Sequence, residues 1–326
     1  METRIGIVGY GNIGRGVLKA VLRNQELYGD ISLAGIITRR PESVQNETPG
    51  IKVVGPDGNL DIDVAILCGG SATDLPKQGP IWVSKHNTVD SFDTHAKIPE
   101  YFATMDRLAK ESGHVAVISA GWDPGTFSLE RVLADAFLPG ANPTGFYGLS
   151  EKGGLSMGHS DAIRRVGGVQ DARQYTHAIP EAVERAKKGE KLKPGEMHWR
   201  ECIVVAKEGA DRDRIANEIR TMPNYFAPYR TTVQFVSQEE LDAEHPGMPH
   251  DGIVIATALT DGNRGVIKYE NIWGSNPQAT ANILVAHARA ANRLSHEGRS
   301  GAFTILDIPA AYFSPRDKGE LLKSFM

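Results

Sequence analysis

Cysteine is scarce in this chain: only Cys68 and Cys202 occur among its 326 residues. The two cysteines lie in separate predicted elements, so neither a disulfide framework nor a cysteine-rich zinc site is indicated. Such cysteine usage is typical of a reducing compartment. We therefore expect a cytoplasmic protein.

Long apolar runs and an excess of positive charge are missing as well. No apolar stretch approaches the roughly 20 residues that a membrane-spanning helix needs, and a predicted strand that begins by Arg4 leaves no room for a signal peptide. The formal net charge is −4, and no basic run is interleaved with aromatic residues. These features argue against nucleic acid and against a membrane surface as the main partner.

Glycine, in contrast, is abundant, and three of the 35 glycines form a motif near the start of the chain. An apolar run at residues 5–8 predicts a buried parallel strand, and Gly9, Gly11 and Gly14 follow it in G-x-G-x-x-G spacing. Glycines at these positions allow a tight turn, close approach of a pyrophosphate and close packing of the next helix, whose N–H groups face the anion. We expect a dinucleotide to contact Gly9, Tyr10, Gly11, Asn12, Ile13 and Gly14.

The second predicted strand, residues 32–37, indicates which dinucleotide binds. Its end carries no Asp or Glu to accept a hydrogen bond from the ribose 2′-OH of NAD; Thr38, Arg39 and Arg40 stand there instead. Paired guanidinium groups suit a 2′-phosphate, so the sequence predicts NADP as the cofactor. Another predicted strand, residues 63–68, ends in small residues against which the ribose and nicotinamide would lie: Cys68, Gly69, Gly70, Ser71, Ala72 and Thr73.

Two aspartates follow further predicted parallel strands. Asp90 ends the strand at residues 87–90, and Asp123 follows the strand at residues 114–119. Ligands of open α/β sheets bind at this edge. The two carboxylates could bind a substrate ammonium or accept its proton, or they could cap helices and turns.

In the second half of the chain, apolar and polar residues alternate along the predicted strands. Alternating segments at residues 169–176, 196–206, 231–236, 252–257 and 266–273 predict a mixed or antiparallel sheet. Residues 41–61 read as a loop or irregular excursion, and residues 153–161 as a glycine-rich loop. A long helix at 279–296 precedes a last strand at 300–307, which we expect to return to the first domain.

The predicted fold class is α/β: a Rossmann-type parallel sheet domain plus an α+β domain with a mixed sheet. We expect residues 1–122 and 277–326 to form the dinucleotide-binding domain, and residues 123–276 the substrate-binding and dimerisation domain. His245 and His250 flank two prolines that preclude a helical pair of ligands, and no third ligand completes a set. No metal site is therefore predicted.

In their order and spacing, the motifs resemble those of the meso-diaminopimelate dehydrogenase family. The resemblance spans nearly the whole chain and rests on residues 9–14, 38–40, 68–74, 121–125, 158–161, 248–250 and 300–304. The family reversibly deaminates the D-configured centre of meso-2,6-diaminopimelate with NADP. The products are ammonia and L-2-amino-6-oxopimelate, which cyclises to tetrahydrodipicolinate. The resemblance implies the same activity here, in lysine biosynthesis, carried out by a homodimer.

The resemblance also implies roles for individual residues. It assigns Asp90 and Asp123 to the reacting D-centre, with Trp122 and the backbone of Met157 and Gly158 beside them. It assigns the carboxylate and amine of the distal L-centre to Thr176, Arg200, His250 and Asn276. A substrate with a carboxylate and an ammonium at each end needs such a cation far from the nicotinamide and acidic groups near it. Whether the aspartates act as base or as ammonium ligands stays open.

One region departs from the family pattern. Tyr147 stands where tryptophan is usual, residues 149–152 are an apparent insertion, and Met157 replaces a common glutamine. These changes bear on substrate breadth more than on the class of reaction. Two alternatives stay open: a related NADP oxidoreductase, such as a dihydrodipicolinate reductase-like enzyme or a broad D-amino acid dehydrogenase, and a non-catalytic NADPH-binding regulator.

Overall fold

The computed structural model describes residues 2–223 and 225–326. Its internal contacts divide the chain into two compact units. The first unit contains the residues up to Leu129 together with Pro277–Met326, and the second contains Glu130–Asn276. Asp123, which the sequence prediction places in the second domain, therefore lies in the first unit.

Strands and helices alternate in the first unit and are mixed in the second. The strands are β1 (Thr3–Val8), β2 (Ile31–Ile37), β3 (Val53–Val54), β4 (Val64–Leu67), β5 (Asn87–Asp90), β6 (Val115–Val117), β7 (Thr144–Tyr147), β8 (Gly154–Leu155), β9 (Val169–Ala178), β10 (His198–Ala206), β11 (Arg230–Phe235), β12 (His250–Thr260), β13 (Asn263–Trp273) and β14 (Gly301–Phe303). The helices are α1 (Asn12–Tyr28), α2 (Pro41–Glu47), α3 (Leu75–Val83), α4 (Ile98–Ser112), α5 (Thr126–Phe137), α6 (Met157–Arg164), α7 (Pro180–Lys187), α8 (Pro194–Met197), α9 (Arg212–Arg220), α10 (Gln238–Glu244), α11 (Asn276–His296) and α12 (Lys318–Phe325).

The first unit is built on a parallel sheet with the order β14-β6-β5-β4-β1-β2-β3. The strand order reverses at β1, which has β4 on one side and β2 on the other. In such sheets ligands bind at the carboxyl ends of the strands beside the reversal. The last strand, β14, pairs in parallel with β6 and confirms that the C-terminal segment returns to this sheet.

Both faces of the parallel sheet are buried, which explains the continuous apolar strands in the sequence. Ile7 of β1 faces a cluster that contains Leu284 of α11. On the other face, Leu67 of β4 packs in a cluster with Met105 of α4. Each such side chain contributes about 2 kcal/mol when it is removed from water, so packing on both faces holds the strand ends in fixed positions.

The second unit contains two smaller sheets. One has the order β11-β10-β9-β8; β10 and β11 are parallel, whereas the other neighbours are antiparallel. The other sheet is antiparallel, with the order β13-β12-β7. These sheets confirm the predicted combination of a Rossmann-type domain and an α+β domain.

Two segments predicted as loops contain short helices and strands. Residues 41–61 contain α2, which begins at Pro41, and the short strand β3. The glycine-rich segment 153–161 contains β8 and the start of α6. Ser156 caps α6 by accepting a hydrogen bond from the backbone N–H of His159, so the helix begins at Met157. Among the described residues, no helix is long and apolar enough to cross a membrane.

Candidate active site

The glycine motif forms the turn between β1 and α1. Gly9 has a φ of +96°, in the left-handed region that favours glycine. A Cβ on Gly14 would lie 3.1 Å from the carbonyl carbon of Gly9, so only glycine lets α1 pack this closely on the turn. Gly11 is the N-cap of α1, and a Cβ there would meet nothing within 4 Å. This geometry leaves space for a phosphate group at the helix N-terminus.

The arginines that follow β2 contact two neighbouring turns, Arg40 the glycine turn and Arg39 the turn after β4. The Arg40 guanidinium donates a hydrogen bond to the Tyr10 carbonyl at 3.4 Å. The side chain of Arg39 is 77% exposed, and its Nη2 lies 3.6 Å from a carboxylate oxygen of Asp74. Thr38 is buried. A pair of exposed guanidinium groups beside the end of β2 can bind a ribose 2′-phosphate.

The segment after β4 adjoins the end of β1. Cys68 donates its backbone N–H to the Val8 carbonyl at 2.8 Å. Asp74 closes the following turn, because its carboxylate accepts the Gly70 N–H at 3.0 Å. A Cβ on Gly69 would lie 2.7 Å from the Asp74 Cβ, so the turn requires glycine there. Residues 68–73 thus form a tight turn at the ligand-binding edge of the sheet.

Trp122 and Asp123 lie in the turn between β6 and α5. The Gly121 N–H donates to the Pro124 carbonyl at 3.0 Å, and the Phe127 N–H donates to the Trp122 carbonyl at 2.8 Å. The Trp122 ring is buried against Phe127, with ring centroids 5.0 Å apart. Asp123 is partly exposed at this turn. Its carboxylate is therefore placed where it can meet a ligand.

Asp90 occupies a different environment. It is the last residue of β5 and is 0% exposed. One carboxylate oxygen accepts the backbone N–H groups of Phe92 at 2.9 Å and of Ser119 at 3.2 Å, and the other accepts the Tyr101 hydroxyl at 2.8 Å. Burial raises the pKa of Asp90 to about 6. Both carboxylate oxygens of Asp90 thus accept hydrogen bonds from residues of the first unit.

A buried cation lies in the second unit. Arg200 of β10 is opposite Thr176 of β9, and its guanidinium donates a hydrogen bond to the Thr176 hydroxyl. The guanidinium carbon lies 4.2 Å from the centroid of the Tyr229 ring. Arg200 is only 7% exposed, and burial lowers its pKa. Among the described residues no carboxylate pairs with Arg200, and its Nε has no hydrogen-bond partner.

An unpaired buried guanidinium is costly, because a charge removed from water needs an opposite charge or a full set of acceptors. The nearby His159 and His198 supply no opposite charge. Burial, followed by repulsion from Arg200, lowers the pKa of both His159 and His198 to about 3. The His198 Nε2 accepts the Tyr147 N–H at 3.0 Å, which fits a neutral ring. Arg200 is therefore suited to receive a carboxylate from a ligand.

His250 and Asn276 join the same cluster through β8. Gly154 of β8 pairs with Thr176 of β9, and a Cβ on Gly154 would lie 2.7 Å from Cε1 of the His250 ring. Asn276 donates its side-chain N–H to the Leu155 carbonyl at 3.0 Å. The second unit thus brings together the four residues predicted for the distal end of the substrate: Thr176, Arg200, His250 and Asn276.

Met157 and Gly158 lie next to this cluster in the chain. They form the first turn of α6 instead of the predicted loop, and Met157 packs against the cluster that contains Leu155 and Tyr175. His245 interacts with the Tyr175 hydroxyl at 3.0 Å. Among the described residues, no group of three or more His, Cys, Asp and Glu side chains could hold a metal ion.

Residues 147–150 lie beside His250 and Asp251. The Asp251 carboxylate accepts the backbone N–H groups of Leu149 at 2.7 Å and of Ser150 at 3.0 Å. The Tyr147 hydroxyl accepts a hydrogen bond from Arg131, and the Tyr147 ring centroid lies 6.2 Å from that of His250. Residues 149–152 therefore form a turn next to a predicted substrate ligand.

Sequence reasoning missed Tyr229 and Gly154. Tyr229 follows a loop with no motif of its own, and only the structure brings its ring onto Arg200. The sequence predicts Gly154 as part of a glycine-rich loop, whereas in the structure it provides space for the His250 ring. The pair Gly153-Gly154 was the only local signal for such close packing.

A parallel sheet with such a glycine turn, joined to a second unit with a buried cation, is typical of one class of protein, the dinucleotide-dependent oxidoreductases. Comparison with known proteins identifies the family. Residues 121–272 match the family described as diaminopimelic acid dehydrogenase C-terminal domain. The meso-diaminopimelate D-dehydrogenase of Ureibacillus thermosphaericus is 49% identical over 100% of this chain and 99% of its own.

Comparison with solved structures supports the same family. The diaminopimelate dehydrogenase of Corynebacterium glutamicum in complex with diaminopimelate superposes with a TM-score of 0.92 at 41% identity, covering 100% of this chain and 99% of that one. An engineered D-amino acid dehydrogenase bound to NADP⁺ superposes with a TM-score of 0.90 at 39% identity, covering 100% of both chains. The chain belongs to the meso-diaminopimelate dehydrogenase family.

Proposed function

We propose that this protein catalyses the reversible, NADP-dependent oxidative deamination of the D-centre of meso-2,6-diaminopimelate. The products are ammonia and L-2-amino-6-oxopimelate, which cyclises to tetrahydrodipicolinate, an intermediate of lysine biosynthesis. The observation that carries the proposal is the buried guanidinium of Arg200, which has no anionic partner among the described residues. A distal substrate carboxylate would neutralise it.

The residues that would bind NADP fit the cofactor. The Gly9–Gly14 turn offers space for the pyrophosphate, and Arg39 and Arg40 are suited to the 2′-phosphate. The turn at residues 68–73 would lie beside the ribose and the nicotinamide. When bound, NADP⁺ supplies a hydride acceptor at C4 of its nicotinamide.

The substrate's two ends would be read by different residues. At the distal L-centre, Arg200 and Thr176 would bind the carboxylate, and His250 and Asn276 would bind the carboxylate and the amine. At the D-centre, Trp122 and the backbone of Met157 and Gly158 would fix the reacting carbon. Exchanging the ends would leave charges unpaired, which supports selectivity for the meso isomer.

Asp123 is the proposed proton acceptor at the D-centre. The ammonium must lose a proton before the Cα hydrogen can leave as hydride, and Asp123 is partly exposed at the ligand-binding edge. Water then adds to the resulting imine, ammonia departs and the ketone is left. Asp90, whose two oxygens are already bonded, would act on the position of its neighbours rather than on the substrate.

Product stoichiometry tests this function. Purified protein with NADP⁺ and meso-diaminopimelate is expected to form NADPH and ammonia in a one-to-one ratio, together with tetrahydrodipicolinate. Reduction of NADP⁺ without release of ammonia would contradict the deamination. Tight NADPH binding with no turnover would instead support the non-catalytic regulator.

The cofactor residues give a direct prediction. Changing both Arg39 and Arg40 to Ala is expected to raise the KM for NADP⁺ by at least about 100-fold, because each of the two charge-assisted hydrogen bonds contributes roughly 1.5–3 kcal/mol, together about 3 kcal/mol or more. The KM for NAD⁺ is expected to change little. Initial rates at varied NADP⁺ and NAD⁺ measure both effects. Arg23→Ala, at an exposed Arg–Glu pair of α1, is the matched control. An unchanged KM for NADP⁺ would remove the arginines from the cofactor site.

Gly154 provides a test of the distal site. Gly154→Ala is expected to raise the KM for meso-diaminopimelate about 10-fold, since a shift of the His250 ring would cost about one hydrogen bond. The KM for NADP⁺ should stay the same. Gly55→Ala, where a Cβ meets nothing within 4 Å, is the control. Equal kinetics for the two variants would exclude the His250 ring from substrate binding.

We also propose a cytoplasmic homodimer. The cysteines are free thiols, which suits a reducing compartment. On the antiparallel sheet, Leu259 of β12 and Val266 of β13 are diagonal neighbours on one face and are 73% and 41% exposed. Exposed apolar side chains of this kind support a protein partner, and in this family a second copy is expected. Sedimentation should then give a mass of twice 35.4 kDa.

A further inference from the structure

Tyr101 of α4 contacts the strand ends of the parallel sheet. Its hydroxyl donates to Asp90 at 2.8 Å, and its ring packs on Phe92 with centroids 4.3 Å apart. A Cβ on Gly79 of α3 would collide with this hydroxyl and lie 3.1 Å from the ring carbon that bears it. The Tyr101 hydroxyl therefore lies in a tightly packed space between α3, α4 and β5, where it bonds to the buried Asp90 carboxylate.

Asp90 in turn holds the chain that leaves β6. Its carboxylate accepts the Ser119 N–H at 3.2 Å, and its backbone carbonyl accepts the Ala120 N–H at 2.8 Å. Ser119 has a φ of +54°, a conformation that residues with a side chain rarely adopt. Two hydrogen bonds accepted by Asp90 thus hold an unfavourable backbone turn just before Gly121.

Trp122 and Asp123 follow directly after this turn. The Gly121–Gly125 segment is closed by its own backbone hydrogen bonds, such as Gly121 N–H to the Pro124 carbonyl. The segment continues into α5, where the Phe127 N–H donates to the Trp122 carbonyl, and it joins the parallel sheet through the turn at Ser119 and Ala120. A change at Ser119 would move both predicted D-centre residues together.

We propose that Tyr101 is a positioning residue for the reaction: through Asp90 and Ser119, it orients the turn that carries Trp122 and Asp123. The catalytic consequence rests on the proposed function, whereas the effect on the turn does not. Nothing in the sequence motifs marks Tyr101, which lies in the first turn of the amphipathic helix α4.

The charge on Asp90 links this arrangement to pH. Burial raises the pKa of Asp90 to about 6, and the three donors oppose that shift. Two donors are backbone N–H groups, so Tyr101 is the titratable contact of this carboxylate in the described part of the chain. Removing the Tyr101 hydroxyl would raise the pKa further. The carboxylate would then become protonated at a higher pH and hold the Ser119 N–H less well.

Tyr101→Phe is the test, because it keeps the ring and removes only the hydroxyl. We expect kcat with meso-diaminopimelate to fall about 10-fold at neutral pH, in line with a small misplacement of reacting groups. The acid limb of the pH profile of kcat should move to higher pH, while the KM for NADP⁺ stays unchanged. Peptides spanning residues 117–127 should exchange amide hydrogen faster.

Tyr312→Phe is the matched control, since that hydroxyl bonds to Glu297 at the surface. Gly79→Ala displaces the Tyr101 hydroxyl without altering Tyr101, and it should reproduce the faster exchange. The proposal is overturned if Tyr101→Phe matches Tyr312→Phe in both hydrogen exchange and pH profile. If the wild-type protein does not oxidise meso-diaminopimelate, the proposed function fails. The positioning role of Tyr101 is then tested by hydrogen exchange alone: residues 117–127 should exchange faster in Tyr101→Phe than in the wild type, and equal exchange would overturn it.

Discussion

Replacing Arg200 by methionine is expected to lower kcat/KM for meso-diaminopimelate by about 10³-fold, on the order of 4 kcal/mol. The guanidinium is desolvated and already bonded to Thr176, so a carboxylate would gain a strong charge-assisted bond there. Methionine fills a similar volume and packs on the Tyr229 ring, but it carries no charge. The loss should appear in steady-state kinetics, with the KM for NADP⁺ unchanged.

The stability of the Arg200→Met variant separates a binding role from a structural one. In the free protein no carboxylate among the described residues pairs with the buried charge, so removing it should leave the melting temperature unchanged or raise it by a few degrees. Arg230→Met is the matched control: Arg230 lies on the neighbouring strand, where it is exposed above Trp199. A variant that loses stability yet keeps kcat/KM within threefold of wild type would show that Arg200 serves the fold alone.

Asp123→Asn is expected to reduce kcat by about 10²- to 10⁴-fold, the range found when a general base is removed. Asparagine has the same shape and still accepts the weak hydrogen bond from Ser128, so the turn should keep its conformation. The affinity for NADPH, measured by fluorescence titration, should stay the same. The kinetic loss then reports the missing proton acceptor.

Two comparisons make the Asp123 result decisive. Asp135→Asn, at an exposed position of α5, should behave as wild type. Asp90→Asn should produce a smaller loss than Asp123→Asn, because the Asp90 side chain is enclosed and bonded within the first unit. A larger loss for Asp90→Asn would reverse the assignment and make Asp90 the proton acceptor.

The sequence predicted the first sheet well because its signals are local. The glycine turn after β1 depends on backbone conformations that only glycine adopts, and the missing carboxylate after β2 is read directly from Thr38–Arg40. The buried strands were visible as short apolar runs. The bounds of β1 accordingly lie within two residues of its predicted ends.

Other features depend on contacts between distant residues. The start of α6 could not be predicted from the sequence, because Gly158 disfavours a helix. In the structure, the Ser156 cap outweighs that preference. The burial of Asp90 could not be read from its position at a strand end, since Tyr101 and Ser119 enclose it from other elements. The stacking of Tyr229 on Arg200 and the fit of Gly154 to His250 are tertiary contacts without sequence periodicity.

The stereochemical choice of substrate tests the account most directly. Purified protein is offered meso-diaminopimelate, its L,L and D,D isomers and simple D-amino acids, and reduction of NADP⁺ is followed by absorbance, with NAD⁺ as the cofactor control. We predict rapid reduction of NADP⁺ with the meso isomer and much slower reduction with the other compounds. Equal rates with the meso isomer and with simple D-amino acids would contradict a distal site built on Arg200.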